Sequence, residues 1–109
     1  MAAAADGLAA RGIASLRYQF SFMEAAGPPL ARAAIRSAVD QAARRLSGVP
    51  LGTGGKSFGG RITSQAQADT PLPGVLGLVF SGFPLHPPKK PSVGRAEHFV
   101  DVTVPMLFI

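Results

Sequence analysis

The chain has no cysteine and no tryptophan, and only one tyrosine and two histidines among its 109 residues. Without cysteine there are no disulfide staples, no thiolate nucleophile and none of the common zinc clusters, and the composition suits a reducing, cytoplasmic compartment. His86 and His98 lie far apart in sequence, and with no third ligand they do not make a metal site. No stretch reaches the ~18 consecutive apolar residues of a membrane span. The start, Met1-Ala2-Ala3-Ala4-Ala5-Asp6, lacks the positive and long apolar regions of a signal peptide. A soluble, unprocessed chain with no membrane partner is expected.

The net charge of +5 invites a nucleic-acid partner, because a basic surface favours approach to phosphates. The distribution argues against it. Arg11, Arg17, Arg32, Arg36, Arg61 and Arg95 are scattered, the adjacent basic pairs are Arg44-Arg45 and Lys89-Lys90, and there is one tyrosine and no tryptophan to supply stacking platforms. What is abundant is apolar material: 47% of residues are hydrophobic and 16% charged, which places the chain in the globular class as one small domain.

Read along the chain, residues 2–11 have helix-forming composition, with Leu8 as anchor and Gly12 at the C-terminal cap. Residues 13–20 read as a partly alternating strand, followed by a loop over 23–29. Leu30, Ala34, Ile35, Ala38, Val39, Ala42 and Leu46 recur at helical spacing, with Pro29 as first residue, Asp40 four residues before Arg44, and Gly48-Val49-Pro50 as the stop. A short strand over 49–54 follows. Beyond Ser57, Phe58, Ile62 and Ala66 share a helical face, and Asp69-Thr70-Pro71 ends it before a Pro73-Gly74 turn.

The continuous apolar run 75–80 reads as a central parallel strand buried on both faces. The segment 85–91, with three prolines, is a stiff extended loop. A short helical or irregular piece over 94–101 precedes a last strand over 104–109. This alternation, with no internal repeat, predicts an α/β fold: a three-layer sandwich around a mostly parallel sheet of about four strands. The expected unit is a single partial domain over 1–109, because a buried last strand needs a neighbour or covering helix beyond Ile109.

The most informative segment is Gly54-Gly55-Lys56-Ser57-Phe58-Gly59-Gly60-Arg61. Gly55-x-Ser57-x-Gly59 falls where a strand gives way to a helix, which is where a nucleophile elbow lies. Small residues flank such a serine because its backbone is pinched into a strained turn, and Gly54 and Gly60 extend the tolerance. The helix beyond would point its amide groups at a developing oxyanion, with the Phe58 N–H as donor. A plain glycine-rich turn with Ser57 capping the helix is the competing structural reading. Gly55-Lys56-Ser57 also resembles the tail of a phosphate-binding P-loop, but Pro50 stands where the leading glycine belongs. His86, in a loop leaving the strand ends, is a possible pocket residue, and His98 reads as part of a salt-bridged polar cluster on a helical surface. Nothing calls for a cofactor.

The segment 54–61, together with 78–88 and Arg95-Ala96-Glu97-His98, resembles one branch of the α/β-hydrolase superfamily. That branch is dienelactone-hydrolase-like and includes the testis-expressed protein thirty and NSL-complex third-subunit types. Residues 10–13 and 16–20 are similar to the helix and strand before that family's elbow. The resemblance implies a serine hydrolase core acting on an acyl bond of a small molecule, with Ser57 as nucleophile and the Phe58 N–H as half of the oxyanion hole. It also implies that the other half comes from a loop upstream of Met1, the acid from beyond Ile109 and the histidine from later still. On that expectation the 109-residue chain is inactive by itself. A non-catalytic interaction scaffold, binding a protein partner or itself through exposed sheet edges, is the alternative.

Overall fold

Alternating helices and strands put a parallel sheet at the centre of the chain, and the computed structural model, which describes residues 2–18, 28–83 and 94–109, has this architecture. Helix α1 spans Ala2–Ala10 and α2 spans Pro28–Arg45, followed by strand β1 (Leu51–Lys56), helix α3 (Phe58–Asp69), strand β2 (Val75–Ser81), a 3-10 helix (Gly94–Asp101) and strand β3 (Met106–Phe108). The sheet runs β1-β2-β3 with both pairings parallel. Among the described residues no helix is long and apolar enough to cross a membrane.

Helix α1 stops because Gly12 takes φ +78, a conformation costly to any residue with a Cβ. The Ile13 N–H then reaches the Leu8 carbonyl at 2.9 Å and the Gly12 N–H the Ala9 carbonyl at 3.0 Å, which together form a Schellman cap. The strand expected over 13–20 is not formed: residues 13–18 carry no regular structure, and 19–20 lie outside the described residues. A strand needs a ladder partner as well as an alternating pattern. The single tyrosine shows what this segment does instead. The Tyr18 hydroxyl bonds to the side chains of Thr53 on β1 and Thr63 on α3, tethering the segment to the sheet by a phenol.

In α2 the buried stripe is Ala31, Ile35 and Val39, one residue per turn, which is the spacing of a helix face pressed on a core. Leu30 and Leu46, expected on that face, are about half exposed instead (52% and 48%). They flank the stripe at the helix ends, outside the face that α2 presses on the core. Asp40 and Arg44 form the expected i,i+4 ion pair at 2.5 Å. Leu72-Pro73-Gly74-Val75 closes on a 3.2 Å bond from the Val75 N–H to the Leu72 carbonyl with Gly74 at φ +76, as a type II turn requires. This turn drops the chain from α3 into β2.

Leu51 faces Val75 and Thr53 faces Leu78, so β2 holds an extra residue between these pairs, a β-bulge that bends it. Val75, Leu78 and Phe80 then face α3 and join Ile35, Ile62 and Ala66 in the core. The other face was expected to be buried too and is not: Leu76 is 64% exposed, Val79 44% and Leu107 57%. The described helices that touch the sheet, α2 and α3, join the core on the Phe80 side. Four phenylalanines complete that side between the sheet and the 3-10 helix. The Phe80 ring lies 5.3 Å from Phe83 and 4.9 Å from Phe108, and Phe99 lies 5.2 Å from Phe83, mostly edge-on or tilted as ring quadrupoles prefer.

Candidate functional site

The β1–α3 junction is built by missing side chains. A Cβ on Gly54 would lie 1.8 Å from the Val79 carbonyl oxygen, and one on Gly55 would lie 2.7 Å from both the Gly59 carbonyl carbon and the Gly60 nitrogen. A Cβ on Gly60 would meet the Gly55 carbonyl oxygen at 2.9 Å. Strand and helix therefore touch backbone to backbone, a contact that only glycine permits. The sequence reading made Gly54 and Gly60 extras to the Gly55 and Gly59 pair. In the structure Gly54, Gly55 and Gly60 make the close approaches, and Gly59 contributes its backbone, its carbonyl also accepting from Thr63 Oγ1 at 2.7 Å.

That contact leaves the connecting residue a severe turn. Ser57 has φ 54 and ψ −119 and is the one non-glycine residue with positive φ among the described residues. For a residue with a Cβ this costs on the order of 1–3 kcal/mol and persists only where the surroundings impose it. The turn is pinned from both sides. The Ser57 N–H donates to the Ser81 carbonyl at 2.9 Å, continuing the ladder, and its own carbonyl accepts from the Arg61 N–H at 3.1 Å, starting the helix. The capping alternative expected of a serine here is absent, because the Ser57 hydroxyl makes no cap hydrogen bond. The residue is exposed.

Ser57 stands at the C-terminal edge of the sheet, where open parallel sheets bind ligands. Beside it lie Ser81 and Gly82, and beyond them Ile109, whose carbonyl accepts from the Gly82 N–H at 3.1 Å. Phe58, next in chain, is half-buried against the core. It occupies the first position of α3, where the helix concentrates about half a positive charge.

His98 is not brought to Ser57. Its Nε2 lies 2.7 Å from the Oγ of Ser64, which sits seven residues further along α3 and so about 10 Å down the helix axis. The salt-bridged surface cluster expected around His98 is also corrected: the ring is partly buried and bonded to a serine. Ser64, His98 and Asp101 superficially suggest a catalytic trio. However, Ser64 is completely buried, and its hydroxyl lies 2.7 Å from the Arg61 carbonyl, so it has no access to a substrate. Burial and the Arg61 charge push the His98 pKa below the usual histidine value, with Asp101 opposing. His86 falls outside the described residues. Among the described residues no group of three or more acidic, histidine or cysteine side chains is placed to hold a metal. Two surface hollows, one lined by Arg32, Asp69, His98 and Asp101 and one by Leu76, Val79, Pro105 and Leu107, do not include Ser57.

Two supports of the site were invisible in the sequence reading. Arg36, expected only on the solvated face of α2, donates from Nη2 to the carbonyls of Ala66 and Thr70, both at 2.7 Å. It closes the far end of the helix that Ser57 begins. Tyr18, through Thr63, ties the other flank of α3. A lone tyrosine was the one available signal for the second, and a basic residue on a buried-stripe helix for the first.

Compared with known protein families, residues 1–109 match the model of an alpha/beta hydrolase domain. No curated protein and no solved structure matches the chain.

Proposed function

The chain belongs to the alpha/beta hydrolase domain family, and on that premise we propose that it is the core of a serine hydrolase of the dienelactone-hydrolase-like branch, with Ser57 as its nucleophile. The observation that carries this reading is the backbone of Ser57, an exposed side chain held at φ 54 between β1 and α3. A turn that only joined a strand to a helix would have no need of a strained serine where glycine would sit at no cost.

In the proposed reaction Ser57 Oγ attacks the carbonyl carbon of an ester, thioester or similar acyl bond. The Oγ–C bond forms as the hydroxyl proton passes to a base, and the bond to the leaving group breaks as that group takes the proton. Water then hydrolyses the acyl-serine. The Phe58 N–H, at the positive end of α3, is the proposed donor to the oxyanion. The general base, the acid that orients it and the second oxyanion donor are assigned to groups other than His98. Without them Ser57 keeps the weak nucleophilicity of an ordinary hydroxyl, because loss of triad members costs roughly 10⁴ to 10⁶ in turnover in a serine protease. The 109-residue chain by itself is therefore proposed to be nearly inactive, and the cysteine-free composition supports a cytoplasmic location.

The test is labelling with a fluorophosphonate, with the site mapped by peptide mass spectrometry. Slow modification at Ser57 that disappears in Ser57→Ala supports the proposal. Modification elsewhere, or indifference to the substitution, overturns it, and labelling at the speed of an intact serine hydrolase overturns the inactivity.

A second reading, a non-catalytic scaffold that binds a protein partner or itself, draws on the open sheet face of Leu76, Val79 and Leu107. Contiguous exposed apolar surface of this kind marks interaction sites. Sedimentation velocity of the chain and of a Val79→Thr/Leu107→Thr variant separates the two readings, since only the scaffold predicts an assembly that the double substitution dissolves.

A further inference from the structure

Lys56, which gives the Gly55-Lys56-Ser57 run its likeness to a phosphate loop, stands one position before the strained serine, their Cα atoms about 3.8 Å apart. It closes β1 opposite Ser81 and is exposed. A Cβ on Gly55 would meet Gly59 and Gly60 of α3, so the alternation of a strand turns Lys56 to the opposite, open face of the sheet. Among the described residues no hydrogen bond or ion pair holds its ammonium group.

The surrounding edge carries no acidic side chain to neutralise that charge. Residues 56–61, 81–83 and 106–109 contribute Lys56 and Arg61 as their charged side chains, and Arg61 is close enough to act on His98. The described acids lie elsewhere. Asp6 is on α1, Asp40 is paired with Arg44 on α2, and Asp69 ends α3. Glu97 and Asp101 belong to the 3-10 helix, which meets α3 at Ser64, about two turns from Ser57. Helix α3 adds the partial positive charge of its first turn at Phe58. The field at the mouth of the Ser57 turn is therefore positive, and such a field concentrates anions.

A positive mouth has a direct consequence for acyl transfer. When the oxyanion forms, a second negative group on the substrate opposes it unless that group already has a counter-charge. Lys56 supplies the counter-charge from the open face of the sheet and leaves the Phe58 N–H to the oxyanion. An ammonium on a flexible four-carbon stem acts as a point charge, without the fixed geometry of a guanidinium fork. It therefore selects for charge rather than for shape.

We propose that Lys56 is the specificity-determining residue of the Ser57 site, and that the substrates of this site are acyl compounds carrying an anionic group beside the scissile bond. The proposal rests on the reading of Ser57 as nucleophile. A strand end that is merely solvated is the competing role for Lys56, and it leaves the site indifferent to substrate charge.

The experiment compares two fluorophosphonates of equal length, one ending in a carboxylate and one in the matching carboxamide, on the 109-residue chain at low ionic strength. Peptide mass spectrometry locates and times the modification of Ser57. The carboxylate probe should label about 3-fold faster or more, as expected for one unit-charge pair about 6 Å apart near water, and the ratio should shrink towards unity in about 1 M salt. General damage to the junction cancels in this ratio. Lys56→Gln should bring it close to one and Lys56→Arg should keep it. Arg45→Gln, which removes the same unit of charge from the end of α2, should keep it too. Equal rates for the two probes, a faster carboxamide probe, a ratio that survives Lys56→Gln, or one lost equally in Arg45→Gln would overturn the role of Lys56 while Ser57 stands as nucleophile. Absence of Ser57 labelling by both probes would overturn the nucleophile and the role of Lys56 with it.

Discussion

Gly54 and Val79 face each other across the β1–β2 ladder so closely that a Cβ on the glycine would stand 1.8 Å from the valine's carbonyl oxygen. No rotamer can relieve a clash with backbone, so the strands would have to part. Gly54→Ala is expected to destabilise the chain by about 3 kcal/mol or more, the range of named structural lesions. Gly52→Ala on the same strand, where a Cβ would meet the Gly77 carbonyl oxygen at an ordinary 3.5 Å, should cost under about 1 kcal/mol. Urea denaturation of the two variants checks the contrast, and equal losses would mean the junction is not the tight point.

Strain at Ser57 makes a separate prediction. Ser57→Ala keeps the Cβ and its positive φ, whereas Ser57→Gly removes both the hydroxyl and the strain. Both variants should lose fluorophosphonate labelling, but the glycine variant should be the more stable of the pair by about 1 kcal/mol. The order of the two urea midpoints is the measurement. Alanine more stable than glycine would show that the turn carries no strain.

Arg36 is expected to matter as a helix cap rather than as a surface charge. Arg36→Gln removes charge-assisted bonds to the Ala66 and Thr70 carbonyls and should cost about 1–2 kcal/mol, given partial exposure. Arg32→Gln, for which no hydrogen bond or ion pair is found among the described residues, should stay within about 0.5 kcal/mol. Thermal melts of the two variants separate a cap from a solvated face.

Tyr18 gives the chain an alkaline limit. Burial raises its pKa above the ordinary 10.0, with the bonds to Thr63 and Thr53 opposing. The folded state holds the phenolic proton longer than the unfolded chain, so this contribution is complete below pH 10 and falls as pH rises through the folded-state value. As the sole tyrosine, its ionisation is read directly from near-ultraviolet absorbance. Tyr18→Phe should lose about 1 kcal/mol at neutral pH and show a shallower decline above pH 10 than the parent. Identical alkaline profiles would remove Tyr18 from the account.

Much of the fold was readable because its signals are local. The helical spacing through Ile35 and Val39, the glycine density from Gly54 to Gly60 and the Pro73-Gly74 turn each restrict the backbone at their own position, and the elements that formed lie within two residues of their expected bounds. The failures share one cause, dependence on a distant partner. The alternation over 13–18 had no strand to pair with, the apolar run 75–80 had a covering helix on one face among the described residues, and His98 joined a serine thirty-four positions away.

The residue order alone determined that a serine would follow a glycine-dense strand and precede a helix, since chain connectivity and the backbone freedom of glycine need no further partner. Tertiary structure alone decided how tightly that junction closes, which glycines it cannot do without, and that Arg36, Tyr18 and His98 brace α3 from three other parts of the chain. Hydrogen bonds and burial between remote segments exist only once packing has brought those segments together, and no local pattern encodes them.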